Sequence, residues 1–119
     1  MITLDRLTKK FGPILAVDGI SLDIRQGEVL GFLGPNGAGK TTTMRMVTGF
    51  LPATGGTAVV AGFDVAKDPI AVREKIGYLP EGAPLYGDMT PAAFLEFVAR
   101  MRGFSGTEAL RRVDWVVET

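Results

Sequence analysis

Five apolar residues in a row, Val29-Leu30-Gly31-Phe32-Leu33, run straight into Gly34-Pro35-Asn36-Gly37-Ala38-Gly39-Lys40-Thr41, and helix-compatible side chains follow over residues 42–48 before Gly49. A short unbroken apolar run fits a strand covered on both faces of a parallel sheet, and a glycine after a helical stretch supplies the usual stop. Strand, glycine-rich bend and helix in that order point to a mixed α/β fold.

The bend itself matches G-x-x-x-x-G-K-[ST] at every specified position, from Gly34 to Thr41. Glycines let the backbone wrap phosphate oxygens without Cβ clashes, so the N–H groups of residues 36–40 (Asn36, Gly37, Ala38, Gly39, Lys40) converge on one anion. A helix starting near Lys40 aims its unpaired N–H groups and the positive end of its dipole at the same phosphates. Lys40 adds a full charge for the β- and γ-phosphates, and is the single catalytic candidate. Thr41 places a hydroxyl where Mg²⁺ needs an oxygen ligand, and Thr42 reaches another phosphate oxygen. With 16 glycines in 119 residues, chance yields this pattern in on the order of one chain per hundred. The flanking strand and helix lower that further.

Composition narrows the rest. A length of 119 residues, 46% hydrophobic, with formal net charge zero describes about one globular domain, less basic than a polyelectrolyte-binding protein, so no nucleic-acid partner is expected. No Cys and no His are present, which removes disulfides, thiolate and imidazole metal sites, and the commonest general base. Catalysis would have to use carboxylates, lysine, backbone and a bound metal. No apolar stretch approaches the roughly 20 residues of a membrane helix, and Asp5 comes too soon for a secretory signal, so a cytoplasmic location is expected.

Along the chain, residues 2–7 and, more clearly, 20–24 alternate as half-exposed strands, with a turn at Arg25-Gln26-Gly27. Residues 57–60 and 63–65 read as a hairpin around Ala61-Gly62, Asp68-Pro69 opens a short helix through Lys75, and residues 76–79 form another apolar strand closed by Pro80. Thr90-Pro91 reads as N-cap and first helical residue, with Phe94, Leu95, Val98 and Met101 on one face before Gly103. A last helix from about Thr107 aligns Leu110, Val113 and Val117. No repeat or low-complexity segment occurs.

Together these residues resemble the ATP-binding cassette ATPases, the nucleotide-binding subunits of ABC transporters, over the whole chain. Besides the phosphate loop, the opening Leu7-Thr8-Lys9-Lys10-Phe11-Gly12 with 16–22 (Ala16-Val17-Asp18-Gly19-Ile20-Ser21-Leu22), the approach Arg73-Glu74-Lys75-Ile76-Gly77-Tyr78-Leu79-Pro80 to a Q-loop, and Met89-Thr90-Pro91 carry the likeness. The resemblance implies that Phe11 stacks on adenine with Val17 beside it, a contact any purine satisfies. The alternative for Phe11 is an aromatic that ends a strand and packs on the core. Where the family usually has Gln, this chain has Glu81, a pattern similar to some efflux- and motility-type cassette subunits. A carboxylate remains a hard ligand for Mg²⁺ but cannot donate as an amide does; a solvated turn residue is the other reading. Lys9 and Lys10, and Arg111 with Arg112, read as solvated charges without specific partners. Phe94, Phe97, Met101 and Phe104 read as core or as subdomain surface, where transmembrane partners dock in the family, and Trp115 stays open between helix packing and an interface.

The resemblance thus implies a partial P-loop NTPase core with an antiparallel β portion over residues 1–80, then a Q-loop-like segment and the start of a helical subdomain over 81–119. It implies ATP and Mg²⁺ as cofactors, a transmembrane permease and a second copy of the nucleotide-binding domain as partners, and hydrolysis coupled to transport at the inner face of a membrane. The family's Leu-Ser-Gly-Gly-Gln segment, its strand ending in Asp-Glu and its switch His do not occur. The chain therefore reads as an N-terminal fragment, expected to self-associate or lose stability through an uncovered apolar strand and to show little turnover alone. A small GTPase lacks support, because Thr8-Lys9-Lys10-Phe11 precedes the loop and lacks the base-reading Asp. The opening antiparallel strands fit a nucleoside or shikimate-type kinase poorly. A cassette ATPase of DNA repair or translation, and a nucleotide-binding module without turnover, remain alternatives.

Overall fold

A computed structural model describes residues 1–35, 39–80, 82 and 87–119. The described chain divides into two compact units, Met1–Tyr78 and Leu79–Thr119. In the first, strands β1 (Ile2–Phe11), β2 (Ile14–Ile24), β3 (Gly55–Val60) and β4 (Phe63–Asp64) form an antiparallel sheet in the order β2-β1-β3-β4. Helices α1 (Lys40–Val47) and α2 (Pro69–Lys75) belong to the same unit.

The sheet is not the simple alternation expected at residues 2–7. Leu4 and Leu7 are both core residues, although a regular strand sends positions three apart to opposite faces. Leu4 pairs with Leu22 and Leu7 with Ile20, so three steps on β1 answer two on β2, and a bulge restores Leu7 to the core side. The extra turn of chain centres on Arg6, whose φ is +50° and whose N–H donates to Ser21 Oγ at 2.9 Å. On the other side, Asp5 faces Thr57 and Thr8 faces Gly55, which leaves Gly56 against the bulge. With φ +75° and an added Cβ only 2.1 Å from the Arg6 carbonyl oxygen, Gly56 admits no side chain.

Helix α1 lays Thr43, Met46 and Val47 on this sheet, the spacing of one helical face. Met46 and Val47 join Leu4, Leu7, Val17, Ala58, Val60 and Val72 in the core. The helix stops where Gly49 takes φ +82°, with Gly49 N–H donating to Met46 O at 3.2 Å and Phe50 N–H to Arg45 O at 2.9 Å, a Schellman ending. From α2, Arg73 donates to the Gly49 carbonyl at 2.9 Å and its guanidinium lies 5.3 Å from the Phe50 ring centroid. Phe50 in turn meets Tyr78 at 5.7 Å. An apolar cavity of about 210 Å³, bordered by Ile2, Leu4, Leu22, Ile24 and α1, also receives Leu30 and Phe32. The Thr43 hydroxyl is buried beside it with no hydrogen-bond partner among the described residues.

Two expected strands do not form in the described structure. Residues 29–33 and 76–79 join no strand ladder, Val29 is 100% and Leu33 93% exposed, and Leu79 is 86% exposed. A strand apolar on both faces is stable only between neighbouring strands, and among the described residues none lies alongside.

The second unit holds α3 (Pro91–Met101) and α4 (Gly106–Glu118), packed against one another. The Thr90 hydroxyl accepts from Ala93 N–H at 3.1 Å and Pro91 occupies the first turn, as expected. Gly103 at φ +93° ends α3, Phe104 N–H reaching Ala99 O at 3.1 Å. Ala109 is wholly buried, Phe94 and Phe104 half-buried, while Met101 and Trp115 are exposed. Arg111 and Arg112 are not the unpartnered charges expected: both guanidiniums bind the Glu108 carboxylate, Arg112 Nε at 2.9 Å, and Arg112 lies 4.7 Å from the Phe104 ring centroid. Their spacing of three and four residues from Glu108 on one helix brings them together. No helix among the described residues is long and apolar enough to cross a membrane.

Candidate functional site

The glycine-rich bend meets the sheet at Gly39, the N-cap of α1, with φ 92° and ψ 9° and no side-chain cap. That left-handed conformation suits glycine, and the surroundings demand it as well. An added Cβ would lie 2.7 Å from the Ala16 carbonyl oxygen and 3.2 Å from Val17 Cγ2. Gly39 is therefore seated directly on β2, against Val17, which is only 2% exposed.

From Gly39 the chain enters α1 at once, Thr43 N–H donating to Gly39 O at 2.9 Å. The N–H groups of Lys40, Thr41 and Thr42 precede the first such bond and have no acceptor within the helix, which leaves three donors and the positive dipole end facing the bend. The Lys40 ammonium spans the bend from its last residue to its first by donating to the Gly34 carbonyl. Thr41 is exposed and Thr42 half-buried. Asn36, Gly37, Ala38 and Glu81 lie outside the described residues.

Phe11 ends β1 with 47% of its surface exposed, so it does not pack away into the core. Beside it, and unforeseen from the sequence, Lys9 places its ammonium 5.2 Å from the Phe11 ring centroid while donating to the Pro52 carbonyl at 2.8 Å. Lys9 is thus a partnered side chain, contrary to the solvated charge expected. Its spacing of two from Phe11 is the available signal, since residues i and i+2 share one face of a strand. Lys9 also sits opposite Val17 in the ladder. The sequence candidates Gly34 and Lys40 are joined directly, Val17 and Gly39 are in contact distance, and Phe11 connects to Val17 through Lys9.

Chemically, the arrangement brings the Lys40 ammonium and the first N–H groups of α1 to one bend. No group of three or more His, Cys, Asp or Glu among the described residues is arranged to hold a metal ion.

The ABC transporter family model matches residues 17–118. Over 118 residues the chain is 43% identical to the uncharacterized ABC transporter ATP-binding protein YhaQ of Bacillus subtilis (strain 168), covering 99% of this chain and 39% of that protein. It is 42% identical over 123 residues to ATP-binding cassette sub-family A member 2 of Homo sapiens, covering 99% of this chain and 5% of the relative. The chain therefore spans well under half the length of these curated relatives. Among solved structures, the dimeric post-hydrolysis state of an ATP-binding cassette bound to ADP and Pi superposes with a TM-score of 0.80 at 25% identity, over 95% of this chain and 54% of that one. The fold is that of the phosphate-loop cassettes with their antiparallel β portion, and the chain belongs to the ABC transporter family.

Proposed function

We propose that this chain is the nucleotide-binding part of an ABC transporter ATPase, binding MgATP and, in the complete dimeric protein, coupling hydrolysis to transport across a membrane. The observation that carries the reading is the left-handed bend at Gly39, seated on Ala16 and Val17 and leading without a side-chain cap into a helix that begins with Lys40. A left-handed glycine that brings the chain close onto β2 and leads into a helix whose first N–H groups have no intrahelical acceptor fits a triphosphate.

Residues 34–40 would wrap the phosphates, Lys40 would exchange its Gly34 carbonyl for phosphate oxygens, and Thr42 would add a hydroxyl donor. Phe11 would stack on the base, while Val17, buried beneath Gly39, would act by supporting the bend and not by touching the base as expected. Thr41 and Glu81 would supply oxygens to Mg²⁺, which when bound neutralises charge on the β- and γ-phosphates. Residues 1–80 would then form the nucleotide-contacting portion and 81–119 the approach to a helical subdomain. The names of the relatives, ATP-binding proteins of ABC transporters, support a transmembrane permease as partner, and the dimeric cassette supports a second copy. Such a partner would hold the protein at the cytoplasmic face of a membrane.

Titration with MgATP tests this. Saturable binding that Lys40→Ala weakens at least about tenfold is expected, from the loss of charge-assisted hydrogen bonds. Equal affinity in both proteins would refute the assignment.

A further inference from the structure

We propose that Lys9 is a specificity-determining positioning residue for the base of the nucleotide, acting through Phe11; this rests on the nucleotide reading above and adds a residue to it. The geometry has two parts. The Lys9 ammonium lies over the Phe11 ring, 5.2 Å from its centroid, and the same ammonium is tethered to the Pro52 carbonyl at 2.8 Å. One face of the half-exposed ring is thereby occupied by a fixed cation, and only the opposite face remains for a flat ligand.

Two consequences follow. First, the ring is ordered before a ligand arrives: Lys9 and Phe11 are on the same face of β1, and the tether to the loop at Pro52 restrains the cation against the ring. Less side-chain freedom is then lost when a base stacks. Second, a cation on the far face withdraws electron density from the ring, which favours stacking on an electron-rich purine over a smaller pyrimidine. Phe11 with neighbours of another kind would stack on any base; Phe11 backed by Lys9 prefers purines.

The cation could instead act simply as a positive charge near the phosphates, and the two roles separate by ligand. The complete protein and its Lys9→Met, Lys9→Arg and Phe11→Ala forms are titrated with ATP, CTP and inorganic tripolyphosphate by calorimetry. Lys9→Met should weaken ATP about threefold, narrow the ATP-to-CTP ratio, and leave tripolyphosphate unchanged. Lys9→Arg, which keeps both the cation over the ring and the donor to the Pro52 carbonyl, should restore ATP binding, and Lys9→Met should have no further effect in a Phe11→Ala background. Equal weakening of ATP and tripolyphosphate in Lys9→Met, or an unchanged ATP-to-CTP ratio, would overturn the inference. Failure of the nucleotide reading itself is distinct: the unsubstituted protein would then give no heat with tripolyphosphate.

Discussion

Replacing Gly39 by alanine tests whether the bend is held by the sheet. Two costs can be read from the structure. A φ near +92° costs a residue with a Cβ about 1–2 kcal/mol, and the new methyl would sit 2.7 Å from the Ala16 carbonyl oxygen, a backbone atom that cannot rotate aside. Restoring ordinary contact requires a shift of about 0.7 Å in β2 or in the bend, adding on the order of 1–3 kcal/mol. The total of about 2–5 kcal/mol must appear somewhere. If the bend keeps its shape, urea unfolding registers the whole of it as lost stability. If the bend relaxes instead, stability is partly spared and MgATP affinity falls, by about tenfold for each 1.4 kcal/mol diverted. The assay is therefore a pair of measurements, unfolding free energy and calorimetric affinity, whose losses are added. A sum within about 0.5 kcal/mol of zero would refute the seating of Gly39 on Ala16 and Val17.

Other substitutions probe the supports of the site. Thr43→Val, which removes a buried hydroxyl lacking a partner among the described residues, should raise stability by about 1 kcal/mol in denaturant unfolding; a loss of that size would show that the hydroxyl is satisfied. Arg73→Gln gives up the bond to the Gly49 carbonyl and the contact with Phe50, and should cost about 1–3 kcal/mol by the same assay, with no change pointing to a replaceable contact. The Glu108 carboxyl is held below its ordinary value of 4.5, chiefly by the hydrogen bond from Arg112 and then by that from Arg111. A depressed carboxylate contributes stability above its unfolded value that is lost as pH falls through the lower folded one, so α4 should begin to weaken only below pH 4.5. Carboxyl NMR titration should show the lowered value rise toward 4.5 in Arg112→Gln, and no movement would remove Arg112 as the cause.

Much of the site is legible in the residues because its requirements are local. Glycine at 39 and lysine at 40 encode a left-handed bend followed by a helix, and Thr90-Pro91 encodes a capped start, whatever lies around them. The short loop Ala61-Gly62 and the glycine stop at 49 are equally local. Where the outcome depends on neighbours, the sequence is silent. The bulge at Arg6 arises because Leu4 and Leu7 must both reach the core, and only Gly56 across the ladder makes room for it. Residues 29–33 have the composition of a doubly covered strand, but pairing is a property of the surroundings, and composition cannot supply a partner. The roles of Lys9, Arg111 and Arg112 were likewise hidden, since a charge looks solvated until an aromatic ring or a carboxylate is found beside it.

Calorimetric titration of inorganic tripolyphosphate and of MgATP into the protein, alongside its Lys40→Ala form, is the most direct measurement. Saturable heat with both ligands, greatly reduced for both in Lys40→Ala, is the expected result. Absence of heat with either ligand at millimolar concentration, or binding indifferent to Lys40, would contradict a phosphate cradle built from Gly34, Gly39 and the first turn of α1.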